Sequence, residues 1–245
     1  MKIPVISGVI DCRILVNFRA DPRVLEKQLP RPFRPKVLRG QGMAGVCLIR
    51  LKQLRPSFLP GICGISSENA AHRIAVEWEQ DGERREGVYI PRRDTSSRLS
   101  TLAGGRLFPG VYHHGRFQVE ERGDYYGLTL ESDDGEVRIS IAGQVAPTLP
   151  ETSIFFSIEE ASEFFRQGSL GYSRRDEKGI YDGLELRTSG WEVEPLDTTV
   201  VESSYFDDEK IFPRGSVAFD SALLMRGLRH EWCRQSPLDA RSTLC

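Results

Sequence analysis

Apolar and polar residues alternate with a period of two along most of this chain, the pattern of strands that bury one face. It is clear over 72–79, where Ile74, Val76 and Trp78 interleave with Arg73, Ala75, Glu77 and Glu79. It returns over 116–121, 125–132 and 136–145, which the turn signals at 122–124 and 133–135 divide into a three-stranded meander. Further strand-like runs cover 10–18, 45–51, 184–186, 191–193, 198–206 and 215–226. Asp81-Gly82 is a hairpin signal that makes the strand at 72–79 the antiparallel neighbour of the stretch after it. Helical signals are short. Asp21-Pro22 supplies an N-cap and a proline at N1 for a helix to about Leu29, and Thr95-Ser96-Ser97 caps a piece through about Ala103 that Gly104-Gly105 ends. Ser157-Ile-Glu-Glu160 is a capping box stopped by Gly168. Many strands with few short peripheral helices predict a mainly β (α+β) fold, an antiparallel barrel or sandwich. No Pro/Gly/Ser-rich linker divides it, so one domain is expected over 1–235, with a frayed tail at 236–245. The apolar, irregular stretch 56–65 is expected to lie over a barrel mouth, and the proline-rich 29–35 to wrap the surface.

The stretch Arg84-Arg85-Glu86-Gly87-Val88-Tyr89-Ile90-Pro91-Arg92-Arg93-Asp94 begins as a strand, and Pro91 then removes a ladder donor. Strict alternation places Val88, Ile90 and Arg92 on one side and Tyr89, Pro91 and Arg93 on the other, so Arg92 is predicted to share the apolar face. A guanidinium there needs an anion to meet its fork of donors. Ion pairing to Glu86 or Asp94 is the other role open to Arg92 and Arg93.

The same stretch resembles the acetoacetate decarboxylases, which carry Arg-Glu, four residues, then Pro-Lys-Lys, where this chain has Arg85-Glu86, four residues, then Pro91-Arg92-Arg93. Tyr89-Ile-Pro-Arg-Arg-Asp-Thr95, Gly104-Gly-Arg-Leu-Phe-Pro-Gly110 and Phe219-Asp-Ser-Ala-Leu-Leu-Met-Arg226 are similar to an uncharacterised branch of that superfamily, roughly over the whole length. The resemblance implies a closed antiparallel β-barrel with a central pocket. It also implies that Arg92 stands where the family has its Schiff-base lysine, at the bottom of the pocket. A guanidinium keeps its proton inside proteins, so Schiff-base decarboxylation at that position is excluded. The family's pocket glutamate has its nearest match in Glu68, with Glu77 as the alternative.

A net charge of −2 and a pI near 6.2 provide no basic field for nucleic acid or an acidic membrane. The apolar run at 1–8 is too short for a signal peptide, and nothing approaches the roughly 18 apolar residues of a membrane helix. A cytoplasmic protein is expected, with small-molecule partners; a homo-oligomer is left open. The five cysteines, 12, 47, 63, 233 and 245, are scattered and unpaired by motif, which reads as reduced thiols. Cys47 or Cys63 as a nucleophile is weighed against a buried inert thiol.

Tyr112-His113-His114 is the one cluster that titrates near neutral pH; in extended chain only one imidazole can enter a pocket. No metal-ligand spacing surrounds the histidines, and neither a metal nor a cofactor is expected. Two functions follow. One is a barrel that holds a carboxylate or enolate with Arg92 as clamp and Arg93, Glu68, Tyr89 and one of His113 or His114 around it. The other is a lyase or isomerase without a Schiff base, acting on a keto acid, in which Arg92 stabilises an oxyanion and Glu68 or a histidine moves the proton.

Overall fold

The computed structural model describes residues 5–103, 110–175 and 179–240. Thirteen strands form one sheet: β1 (Ile6–Ala20), β2 (Arg34–Pro35), β3 (Val37–Leu38), β4 (Gln41–Pro56), β5 (Ile65–Gln80), β6 (Glu83–Thr95), β7 (Tyr112–Arg122), β8 (Tyr125–Ser132), β9 (Arg138–Val145), β10 (Leu170–Arg174), β11 (Ile180–Thr188), β12 (Glu194–Ser203) and β13 (Val217–Asp239). Three α-helices, α1 (Pro22–Gln28), α2 (Arg98–Ala103) and α3 (Ile158–Gln167), and one 3₁₀ turn at Gly61–Cys63 complete the described elements.

The caps read from the sequence are present. Asp21 accepts from the Arg23 amide at 2.8 Å, Ser97 from that of Ser100 at 3.2 Å, and Ser157 from that of Glu160 at 3.2 Å. Glu160 does not complete the box; its carboxylate accepts from the Phe156 amide at 2.8 Å and takes Arg39. Asp81 and Gly82 both adopt positive φ, 54° and 75°, as a two-residue hairpin turn requires, and β5 and β6 pair antiparallel across it. The meander β7-β8-β9 also forms.

Most pairs are antiparallel, but β6 runs parallel to both β7 and β10. The β6–β10 join, with β11–β13 and β5–β6, brings the pairing round on itself: β5-β6-β10-β11-β13-β1-β4-β5 is a continuous circuit. Two apolar clusters lie on the two faces of the shared strands. One collects Ile14, Val16, Leu48, Ile74, Val76 and Leu224, the other Ile10, Leu15, Cys47, Ile49, Leu186 and Leu223. Strands β1 and β4 are therefore buried on both sides, and their long apolar runs reflect it. The expected fraying from Ser236 is corrected here: β13 pairs with β11 through Asp239, Ile180 being its partner. Residues 241–245 of that tail lie outside the described residues.

Candidate functional site

A cavity of about 120 Å³ lies among β1, β4, β5, β6, β10, β11, β13 and α3. Its wall is built mainly by every second residue of the strands: Arg13 and Leu15 on β1, Cys47, Ile49 and Leu51 on β4, Asn69, Ala71 and Arg73 on β5, with Ala70 between them, and Leu184 and Leu186 on β11. On β6 the alternation breaks. Val88 and Ile90 line the cavity, and so does Arg93, not Arg92. The register explains this. His72 pairs with Arg92 and Ile74 with Tyr89, so Ile90 and Pro91 together oppose Arg73 alone, a β-bulge. One extra residue reverses the phase of everything after it, and Pro91, which has no N–H to donate, sits at such an unpaired position.

The expectation that Arg92 faces the pocket is thereby corrected. Arg92 turns to the other face and meets three carboxylates: Asp94 and Asp134, each at 2.8 Å, and Glu136 at 2.6 Å. Asp94 has no exposed surface. Burial alone would lower the pKa of Arg92, but the hydrogen bonds to Asp94 and Asp134 outweigh it and the net shift is upward. The pairing role, not the clamp, is the one Arg92 occupies.

Three guanidiniums do face the cavity, Arg13, Arg73 and Arg93, of which Arg73 is 6% and Arg93 8% exposed. Among the described residues none of the three has a carboxylate within ion-pair distance. Each stands instead over an aromatic ring: Arg13 5.5 Å from the centre of Trp191, Arg73 4.9 Å from Phe165 and Arg93 5.8 Å from Tyr112. Their other partners are neutral. Arg13 donates through Nε to the Cys47 sulfur at 3.1 Å, Arg73 to the side-chain oxygen of Asn17, and Arg93 to the Ser173 hydroxyl. Among the described residues the buried Nε of Arg73 has no partner. Burial, partly offset by the Cys47 sulfur and reinforced by Arg13, pushes the pKa of Arg73 down to about 10. Burial lowers that of Arg93 as well, against Tyr112 and Cys47. These shifts measure the cost of holding cations in an apolar wall with no anion of the chain's own.

The arginines are held in place from behind. Arg73 bonds Asn17, Asn17 donates to the Ser221 hydroxyl at 3.3 Å, and Ser221 donates to Asp220 at 3.0 Å, all fully buried except Arg73. Asp220 also accepts from Ser153 and the Ile154 amide at 2.9 and 2.8 Å, which ties the segment before α3 to the same network. The Phe219-Asp-Ser stretch thus supports the site without touching it. Gly110 passes so close to Arg93 that a Cβ there would lie 2.8 Å from a guanidinium nitrogen, and its φ of +91° also demands glycine. The rest of the glycine-rich motif, 104–109, lies outside the described residues.

Several expected site residues are elsewhere. Glu68 is on the face of β5 opposite Ser67 and Asn69 and is tied to Arg50. Its alternative, Glu77, pairs with Arg84 at the surface. Tyr89 packs in an aromatic cluster, 5.6 Å from Phe33 and 6.2 Å from Tyr181. His113 and His114 are held by Asp134 and Asp133 at 2.9 and 2.7 Å, so neither enters the cavity, whereas Tyr112 does. The segment 56–65 leaves its apolar side chains in solvent, Ile62 most of all, and contributes none to the cavity wall. Among the described residues the wall holds no lysine, carboxylate or imidazole, and no group of three or more His, Cys, Asp and Glu that could hold a metal is present.

The sequence model for an uncharacterized conserved protein family, DUF2071, matches residues 11–223. The chain belongs to DUF2071. No curated protein matches it. Among solved structures, this DUF2071 chain is similar to acetoacetate decarboxylase from Legionella pneumophila subsp. pneumophila str. Philadelphia 1, at 9% identity and a TM-score of 0.62, covering 95% of this chain and 87% of that one. An acetoacetate decarboxylase-like enzyme from Sphingomonas wittichii RW1 matches at 14% identity and a TM-score of 0.60, with 97% and 95% covered. The enduracididine biosynthesis enzyme MppR, complexed with pyruvate, matches at 12% identity and a TM-score of 0.59, with 98% and 92% covered. At these identities the likeness is one of fold, and this DUF2071 member is a mainly β protein of the acetoacetate decarboxylase-like fold.

Proposed function

We propose that this protein binds a small anionic metabolite, a carboxylate or enolate, in the cavity, and that Arg93, Arg73 and Arg13 hold it. One observation carries the reading: three guanidiniums converge on an apolar hollow, and among the described residues no carboxylate answers them. Buried charge without a partner is costly, and an anion on the three forks would relieve that cost with charge-assisted hydrogen bonds. The seven-strand circuit is read as a closed barrel wall that keeps water from screening them. A hollow of about 120 Å³ suits a ligand of a few heavy atoms, and a structural relative carries pyruvate. The clamp expected at Arg92 moves to its neighbour. A lyase or isomerase that used Glu68, His113 or His114 has no support in the wall.

Isothermal titration with pyruvate and other short 2-oxo acids, set against their neutral methyl esters, tests the reading. The acids should bind and the esters should bind at least roughly tenfold more weakly, since each charge-assisted pair is worth about 1.5–3 kcal/mol. Equal affinity for acid and ester would remove the arginines from the account.

A further inference from the structure

We propose that Cys47 is a nucleophile directed at anionic electrophiles, a covalent attachment point within the arginine-lined cavity. Cys47 lines that cavity from β4, and its sulfur accepts from the Nε of Arg13 at 3.1 Å. Arg73 and Arg93 share the same wall. Three guanidiniums line the cavity that Cys47 lines, and the described part of the wall has no carboxylate to oppose the field they set up for an incoming anion. A second feature points to a ligand beside it. Arg73 is more than nine-tenths buried, lines the cavity and among the described residues meets no carboxylate, a cation left for an incoming anion. Anionic reagents are drawn to such a field, and Cys47 is the nucleophile they meet there.

The other described cysteines lack this setting. Cys63 is exposed, and neither it nor the half-buried Cys233 lines the cavity. Cys12 faces the opposite side of β1, and burial together with Glu121 pushes its thiol up to about 12.

The proposal rests on the anion site above and has its own experiment. The intact protein is treated with iodoacetate or with iodoacetamide, and the alkylation rate of each cysteine is followed by peptide mass spectrometry. In both reactions the sulfur forms a bond to the CH₂ carbon as the carbon–iodine bond breaks and iodide leaves; only the charge of the reagent differs. Cys47 should react roughly tenfold or more faster with iodoacetate, while Cys63 should prefer the neutral reagent, as an ordinary thiol in water does. Pyruvate should slow the reaction at Cys47 and leave Cys63 unchanged. A Cys47 that is unmodified by either reagent, or that prefers iodoacetamide, overturns the proposal. Pyruvate titration of Cys47→Ala separates the two readings: retained binding beside an unreactive Cys47 leaves the anion site standing and removes only the nucleophile.

Discussion

Two adjacent arginines in this chain have opposite fates, and the difference is one of counter-ions. Arg92 has three carboxylates, one of them the fully buried Asp94. Arg93 has a hydroxyl and an aromatic face. Arg92→Ala leaves Asp94 as a buried charge without its main partner and should lower stability by about 3 kcal/mol in urea denaturation, at unchanged m-value. Arg93→Ala should cost far less stability, because the buried cation it removes has no carboxylate among the described residues and was itself a burden. An equal loss in the two variants would contradict this division. The network behind Arg73 makes a related prediction. Asn17→Leu removes the acceptor that orients the guanidinium and should weaken 2-oxo acid binding by roughly tenfold, one bond to a charged group being worth about 1.5–3 kcal/mol, as titration would show. Alternation alone could not tell Arg92 from Arg93. A bulge is a relation between two strands, and its only local mark was Pro91. Arg73 was legible on the polar face of its strand, but alternation could not place it in a cavity wall, because a cavity wall and an outer surface have the same alternation.

At the scale of elements, the cavity depends on short joins. β6 meets β10 over only two residue pairs, Gly171 with Val88 and Tyr172 with Tyr89. Gly87 precedes them, and a Cβ there would lie 2.4 Å from the Leu170 carbonyl oxygen, a backbone atom that cannot step aside. Gly87→Ala should therefore push the two strands apart and cost about 1–3 kcal/mol. Hydrogen exchange would show the protection loss concentrated in β10 and β6; a uniform loss or none would contradict the account. The hairpin at Asp81-Gly82, the capped helices and the β7-β9 meander were legible because each is set by local turn and cap chemistry. The parallel join of β6 to β10 was not, since no local signal marks a partner about 80 residues away.

For the whole molecule, burial of two uncharged imidazoles ties stability to pH. His72 and His230 are buried, and among the described residues neither ring nitrogen of His72 has a partner. Burial, with Arg92 adding to it, holds His72 down to about 3; burial and then Arg13 hold His230 down to about 4, against the Gly8 backbone. Folded values below the unfolded ones mean that the unfolded chain binds the extra protons as pH falls. This stability is complete above about 6.5 and declines toward 3–4, by about 1.4 kcal/mol per unit for each histidine. Urea midpoints at pH 7.5 and 5.0 should differ accordingly, by roughly 4 kcal/mol in stability, and His72→Phe should flatten part of the slope. A midpoint independent of pH over that range would contradict the assignment.

The central claim is that cavity arginines, and not the paired Arg92, hold an anion. Calorimetric titration of pyruvate into the intact protein, Arg93→Met and Arg92→Met tests it most directly. The account predicts that Arg93→Met loses at least roughly tenfold in affinity while Arg92→Met, once shown to be folded, stays within about twofold. A loss confined to Arg92→Met, or identical affinities in all three proteins, would contradict it.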